Sequence, residues 1–226
     1  MTAEQLCLIF PSRGGRRPGA GRKPGPFAST VPHRSRASLS PRTPVHVTVK
    51  LRRGLPRLRD QLVFARLRGL FAWARSTAFR IVHWSVQVDH LHLVVEASDA
   101  RELSRAMARF NARLARLVNR LAGRSGAVLR ERFHARQLRT PREVHHAVRY
   151  VLNNAYKHGV LRSALDPMSS GPMFDGWFGL ATAPSERDAT VSLPRTWLLR
   201  IGWRRHGLLQ MPQARHPSGV SRPIIS

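Results

Sequence analysis

D-H-L-H-L-V-V-E, residues 89 to 96, alternates polar and apolar positions before running apolar into a carboxylate. Period-two alternation marks a strand with one buried face, so Leu91, Leu93 and Val95 face a core and His90 and His92 point together the other way. Two positions along a strand separate their Cα atoms by about 6.5 to 7 Å, close enough for both imidazoles to share one divalent ion. A histidine pair on a strand also occurs as two ordinary polar residues, and the residues downstream of it decide between the two readings.

V-H-V-T-V-K-L, residues 45 to 51, alternates strictly and predicts a first strand. Pro56 to Phe79 carries Val63, Leu67, Leu70 and Ala74 as a helical stripe flanked by Arg66, Arg68 and Arg75. Ile81 to Ala97 is β-prone and predicts two strands joined near Asp89. Asp99 and Glu102 form a capping-box pattern ahead of Leu103, Met107, Phe110, Leu114, Leu117 and Leu121 at helical spacing. Gly123 to Gly126 ends that helix, and Val128 to Leu138, containing Phe133 and His134, predicts a further strand. Thr140, Pro141 and Glu143 then start a helix whose buried stripe is Val144, Ala147, Val148, Val151 and Ala155, with His146, Tyr150 and Asn154 four apart on its flank. The order predicts an α+β fold: a ferredoxin-like antiparallel sheet with helices, βαββαβ, followed by a tyrosine-bearing helix.

Charge narrows the partner. Lys and Arg total 39 against 12 Asp and Glu, a formal net charge of +27, and lysine occurs only at Lys23, Lys50 and Lys157. The planar guanidinium fork suits phosphate and guanine edges, so the expected partner is nucleic acid. Arg105, Arg109, Arg113, Arg116 and Arg120 fall on one stripe of their helix, where cations repel one another and gain most from phosphate; a solvated face is the plainer alternative. Residues 1–44 form a basic tail rich in Gly, Pro and Ser that buries too little apolar surface to fold alone. Within it, Arg16, Arg17, Arg22 and Lys23 surround R-P-G-A-G-R-K-P-G-P, which resembles the minor-groove-binding core of an AT-hook or serves as a non-specific phosphate binder. The single Cys7 excludes an internal disulfide and a cysteine-rich zinc site. With no signal-peptide pattern and no long apolar run, the expectation is a cytoplasmic, nucleoid-associated protein without a membrane partner.

Four motifs together resemble the single-tyrosine, histidine-hydrophobic-histidine transposases, especially the REP-associated tyrosine transposases: D-H-L-H-L-V-V-E at 89 to 96, R-F-H-A-R at 132 to 136, T-P-R-E-V at 140 to 144 and Y-V-L-N-N at 150 to 154. The resemblance runs from about Val45 to Gly159 and implies a catalytic domain over 45–160, followed by an accessory extension over 161–226. It implies that His90 and His92 bind Mg²⁺ or Mn²⁺, with Asn154 as third ligand, and that Tyr150 attacks single-stranded or hairpin DNA as a monomer or homodimer. The family's tyrosine motif commonly ends Asn-Pro, whereas Ala155 follows Asn154 here. A continuous helix would place Asn154 about 6 Å along the axis from Tyr150.

His134 and Lys157 are further candidates for DNA contact, while His46, His83, His145 and His146 read as structural or phosphate-facing. Tyr156 is the fallback nucleophile. Two other readings stay open: a non-cleaving DNA- or RNA-binding protein derived from a transposase, and a cupin-like metal protein, since H-x-H-x-x-x-E matches the first cupin motif. The helix following Glu96 disfavours the cupin and leaves that residue solvated at a strand end or steering a histidine. In the extension, Trp177, Trp197 and Trp203 read as packing anchors or as stacking surfaces for unpaired bases.

Overall fold

The computed structural model describes residues 38–157, 165–180 and 189–211; the tail cations Arg16, Arg17, Arg22 and Lys23 lie outside the described residues. The element order is β1 (Val45–Lys50), α1 (Gln61–Trp73), β2 (Phe79–Val86), β3 (His90–Ala97), α2 (Ala100–Leu121), β4 (His134–Gln137), α3 (Pro141–Leu152) and α4 (Asn154–Lys157). A 3₁₀ turn at Gly171–Met173, α5 (Trp197–Arg200) and a 3₁₀ turn at Gly202–His206 complete it. Every strand pairing is antiparallel and the sheet order is β2-β3-β1-β4, the ferredoxin-like arrangement expected.

Local chemistry sets the ends of the helices. Asp60 accepts from the backbone N–H of Leu62 and Val63, so α1 starts later than Pro56; Phe79, expected at the helix end, instead pairs with Ala97 in the sheet. Asp99 caps α2 through the N–H of Glu102, and the Thr140–Glu143 capping box closes both ways at α3 with Pro141 in its first turn. The expected strand at Val128–Leu138 shortens to His134–Gln137, because Leu129 bridges Leu51 and the chain then bends to bury Phe133 before it rejoins β1.

The sheet has two different faces. Val45, Val47, Val49, Leu91, Leu93 and Val95 face one core with α1 and α2. A bulge between Ile81 and His83 shifts the parity of β2, so that Phe79 and Ile81 before it, and Trp84 and Val86 after it, all reach that same core. Val82 and Val94 face the other way, where α3 packs with Phe174, Trp177, Leu199, Trp203 and Leu209 of the extension. Trp177 and Trp203 are buried anchors whose indoles donate to the carbonyls of Gly171 and Leu199, while Trp197 stays 46% exposed.

Two buried carboxylates tie the extension to the sheet. Asp166 receives Arg59 bidentately at 2.8 and 2.9 Å and also the N–H of Met168. Glu96 accepts from the backbone N–H of Arg195 at 2.9 Å and Thr196 at 2.8 Å, with Arg80 at 3.8 Å. This corrects the sequence reading of Glu96: it is 5% exposed and anchors a segment about a hundred residues downstream, neither solvated nor steering a histidine. Among the described residues no helix is long and apolar enough to cross a membrane.

Candidate active site

The strand register builds the site. Thr48 pairs with His92 on one side and with His134 on the other, and His92 pairs with Ser85, so these four side chains form one row across the sheet on the face turned to α3. His46 and Arg136 pair one step along, as do Lys50 and His90. The period-two reading of His90 and His92 holds: their rings lie 4.8 Å apart between centroids, at 87°.

Tyr150 comes down onto this row from α3. Its ring meets His92 edge-on at 5.1 Å and His46 edge-on at 5.9 Å, while His46 and His92 are 5.2 Å apart. The three rings sit at a cleft of ≈ 890 Å³ lined also by Thr48, Arg136, Thr140, Arg142, Glu143, His146, Arg149, Asn153, Gln210 and Met211. Arg136, Arg142 and Arg149 give it cationic walls. Among the described residues the one acid of that lining, Glu143, is occupied: it accepts from the backbone N–H of Arg139 and Thr140 and pairs with Arg136 at 3.1 Å. The Arg139 N–H bond leads the causes that hold the Glu143 carboxyl below its ordinary range, outweighing the opposing effect of burial.

Each candidate ligand histidine has its Nδ1 engaged. His90 Nδ1 lies 2.7 Å from Asp89 Oδ1; His92 Nδ1 lies 3.2 Å from Thr48 Oγ1 and 3.2 Å from His46 Nε2. Burial raises the Asp89 carboxyl, but the bond with His90, the His90 charge and Lys50 together hold it below the usual range. His46 is pushed down to about 4, chiefly by burial and then by Arg136, so it is neutral near pH 7. Among the described residues no three His, Cys, Asp or Glu side chains are placed to hold a metal together, so His46 does not complete a triad with His90 and His92.

The donor set fits Mg²⁺ or Mn²⁺ in part. Both histidines have the outer-nitrogen support typical of metal-binding imidazoles, which makes Nε2 the nitrogen that would meet an ion. Asn154 is fully buried and neither Oδ1 nor Nδ2 of its amide makes a hydrogen bond among the described residues; a ligated ion would relieve Oδ1, at a cost otherwise of about 1–3 kcal/mol. Contrary to what the sequence spacing predicts, Asn154 does not continue the helix of Tyr150. α3 stops at Leu152, Asn153 caps it at φ −102° and ψ 10°, and Asn154 begins the separate α4. Asn153, whose Oδ1 is also buried without a partner, lines the cleft, whereas Asn154 does not.

The other sequence candidates divide by face. Arg105, Arg109, Arg113, Arg116 and Arg120 are carried on α2, across the sheet from the cleft, and none lines it. Arg105 and Arg109 pair with Glu102, and the Arg113 guanidinium lies 3.7 Å over Trp73. His134 shares the face of His92 but is two strands away, about 9.6 Å, and bonds Glu131 at 3.0 Å. The side chains of Tyr156 and Lys157 lie outside the described residues. Sequence reading missed Arg142 and Arg149 and set His46 apart from the site. The signals present were positional: Arg149 adjoins Tyr150, and His46 and Thr48 alternate with the core valines of β1.

Fold and site together define an α+β, ferredoxin-like protein with a histidine row and a helix-borne tyrosine at a cationic cleft. No family model matches the chain, and no curated protein matches it. The chain is similar to a solved structure of a REP-associated tyrosine transposase bound to a REP hairpin, with a TM-score of 0.49 and 20% identity, covering 62% of this chain and 82% of that one.

Proposed function

We propose that this chain is a transposase-like, metal-assisted single-stranded DNA endonuclease and strand transferase acting in DNA transposition or recombination. The observation that carries the reading is the contact of Tyr150 with His92, 5.1 Å between rings, at a cleft walled by arginines. A nucleophile must approach a phosphodiester against its negative charge, so the site needs cations placed before the reaction starts. Arg142 and Arg149 supply two, on the same helix as Tyr150.

In this reading His90, His92 and Asn154 hold Mg²⁺ or Mn²⁺, whose bound charge would polarise the phosphate. Tyr150 Oη gives up its proton to solvent and forms a bond to phosphorus, the P–O3′ bond breaks, and the 3′ oxygen takes a proton from solvent. The products are a 5′-phosphotyrosine and a 3′-hydroxyl, and reversal against another 3′-hydroxyl rejoins the strand. The arginine stripe of α2, lying across the sheet, holds flanking DNA by its phosphates together with Lys157, the basic tail and His134 of β4, which shares the face of His92.

The test is incubation with hairpin-bearing single strands and Mg²⁺ or Mn²⁺, then a denaturing gel. Wild type gives a covalent adduct and Tyr150→Phe gives none while binding equally. A second reading, a nucleic-acid binder that does not cut, is favoured by the absence of Asn154 from the cleft lining. Binding without an adduct across varied hairpins and both metals would establish it instead.

A further inference from the structure

His46 and Thr48 stand on β1 beside His92, outside the proposed ligand set. Thr48 is the direct cross-strand partner of His92, and His46, two residues earlier, points to the same face. Thr48 Oγ1 and His46 Nε2 each lie 3.2 Å from His92 Nδ1. His90 is held differently, by the Asp89 carboxylate at 2.7 Å. An ionised carboxylate only accepts, so Asp89 makes His90 Nδ1 the donor and turns the lone pair to Nε2. The Thr48 hydroxyl and an imidazole nitrogen of His46 can each accept as well as donate, and the position of the His92 proton depends on both together.

We propose that His46 and Thr48 are positioning residues that accept the Nδ1–H of His92 and thereby turn its Nε2 lone pair toward the divalent ion; this rests on His92 being a metal ligand. The opposite tautomer would place a proton on Nε2 and block coordination. Two neutral acceptors at one nitrogen do for His92 what one acid does for His90, without adding negative charge at the base of an anion-binding cleft. His46 also touches Tyr150, so the histidine is fixed from the side on which the tyrosine packs.

The test reads the tautomer directly, by long-range ¹H–¹⁵N NMR of the metal-free protein, together with Mn²⁺ affinity by electron paramagnetic resonance. Wild type should show His92 protonated at Nδ1. His46→Ala combined with Thr48→Val should mix the tautomers and weaken Mn²⁺ binding by roughly 10- to 100-fold. His46→Gln, which restores an acceptor carbonyl, should recover most of both in an unchanged fold by circular dichroism. Wild-type His92 protonated at Nε2, or a double variant with unaltered tautomer and affinity, would overturn the proposal and leave the cleavage reading standing. Wild type with Nδ1–H His92 but no Mn²⁺ binding would sink the metal reading and the pair's role with it.

Discussion

Replacing Arg142 and Arg149 together by alanine removes two of the three guanidinium groups that, among the described residues, wall the cleft beside Tyr150. Unlike Arg136, which pairs with Glu143, neither makes an ion pair within 4.0 Å among the described residues, so each has its charge to give to a phosphate. For a single strand, each phosphate contact adds about 0.7 to the slope of log affinity against log salt. Losing two contacts should flatten the slope by about 1.4. From about 50 to about 200 mM salt, the advantage of wild type over the variant should therefore shrink about sevenfold. Fluorescence anisotropy with a short single strand, in chelator so that no metal contributes, measures it. A variant with the wild-type slope would refute the placement of the strand in this cleft. The α2 variant Arg109→Ala with Arg116→Ala serves as comparison: it should leave this short-strand slope unchanged, because that helix packs on the opposite side of the sheet.

Three further outcomes rest on the packing and the site. Glu96→Ala leaves the N–H groups of Arg195 and Thr196 and the Arg80 guanidinium without their buried acceptor, and should cost about 3 kcal/mol in urea unfolding, with less than about 0.5 contradicting the anchoring role. His83, lowered to about 4 by burial, binds its proton more weakly folded than unfolded. The associated stability is present above the unfolded value near 6.5 and declines as pH falls toward 4, by no more than about 2 kcal/mol between pH 7 and pH 5. His83→Gln should remove that part of the slope, and equal slopes in variant and wild type would refute it. Finally, Asn154→Ala should weaken Mn²⁺ binding more than Asn153→Ala; the reverse order, read by calorimetry, would transfer the third ligand to Asn153.

Elements set by neighbouring residues were legible in the sequence. The strict alternation of residues 45–51, the capping chemistry of Asp99 and Thr140, and the hairpin around Asp89 pointed to the fold class, because each signal lies within one turn or one strand. The bulge at Val82 was hidden, since I-V-H-W reads as an interrupted alternation whose meaning depends on the partner strand. The role of Glu96 was equally hidden: its hydrogen-bond partners lie about a hundred residues away on a loop without a periodic pattern. At the site, the histidine spacing and Tyr150 could be read, but the approach of His46 depends on the β1–β3 register, which no local signal specifies. The α2 stripe illustrates the same limit. Helical periodicity shows that the arginines share a flank, and only the packing of Leu103, Met107 and Phe110 beside Leu91 and Leu93 shows that this helix is across the sheet from the tyrosine.

Peptide mapping of a trapped covalent adduct identifies the nucleophile itself. After reaction with hairpin-bearing single-stranded DNA and Mn²⁺, nuclease trimming and proteolysis, mass spectrometry should find a nucleotide joined through a 5′-phosphate to the peptide carrying Tyr150. A nucleotide on Tyr156 or another side chain, or no adduct under conditions in which the DNA is bound, would contradict Tyr150 as the residue that cuts the strand.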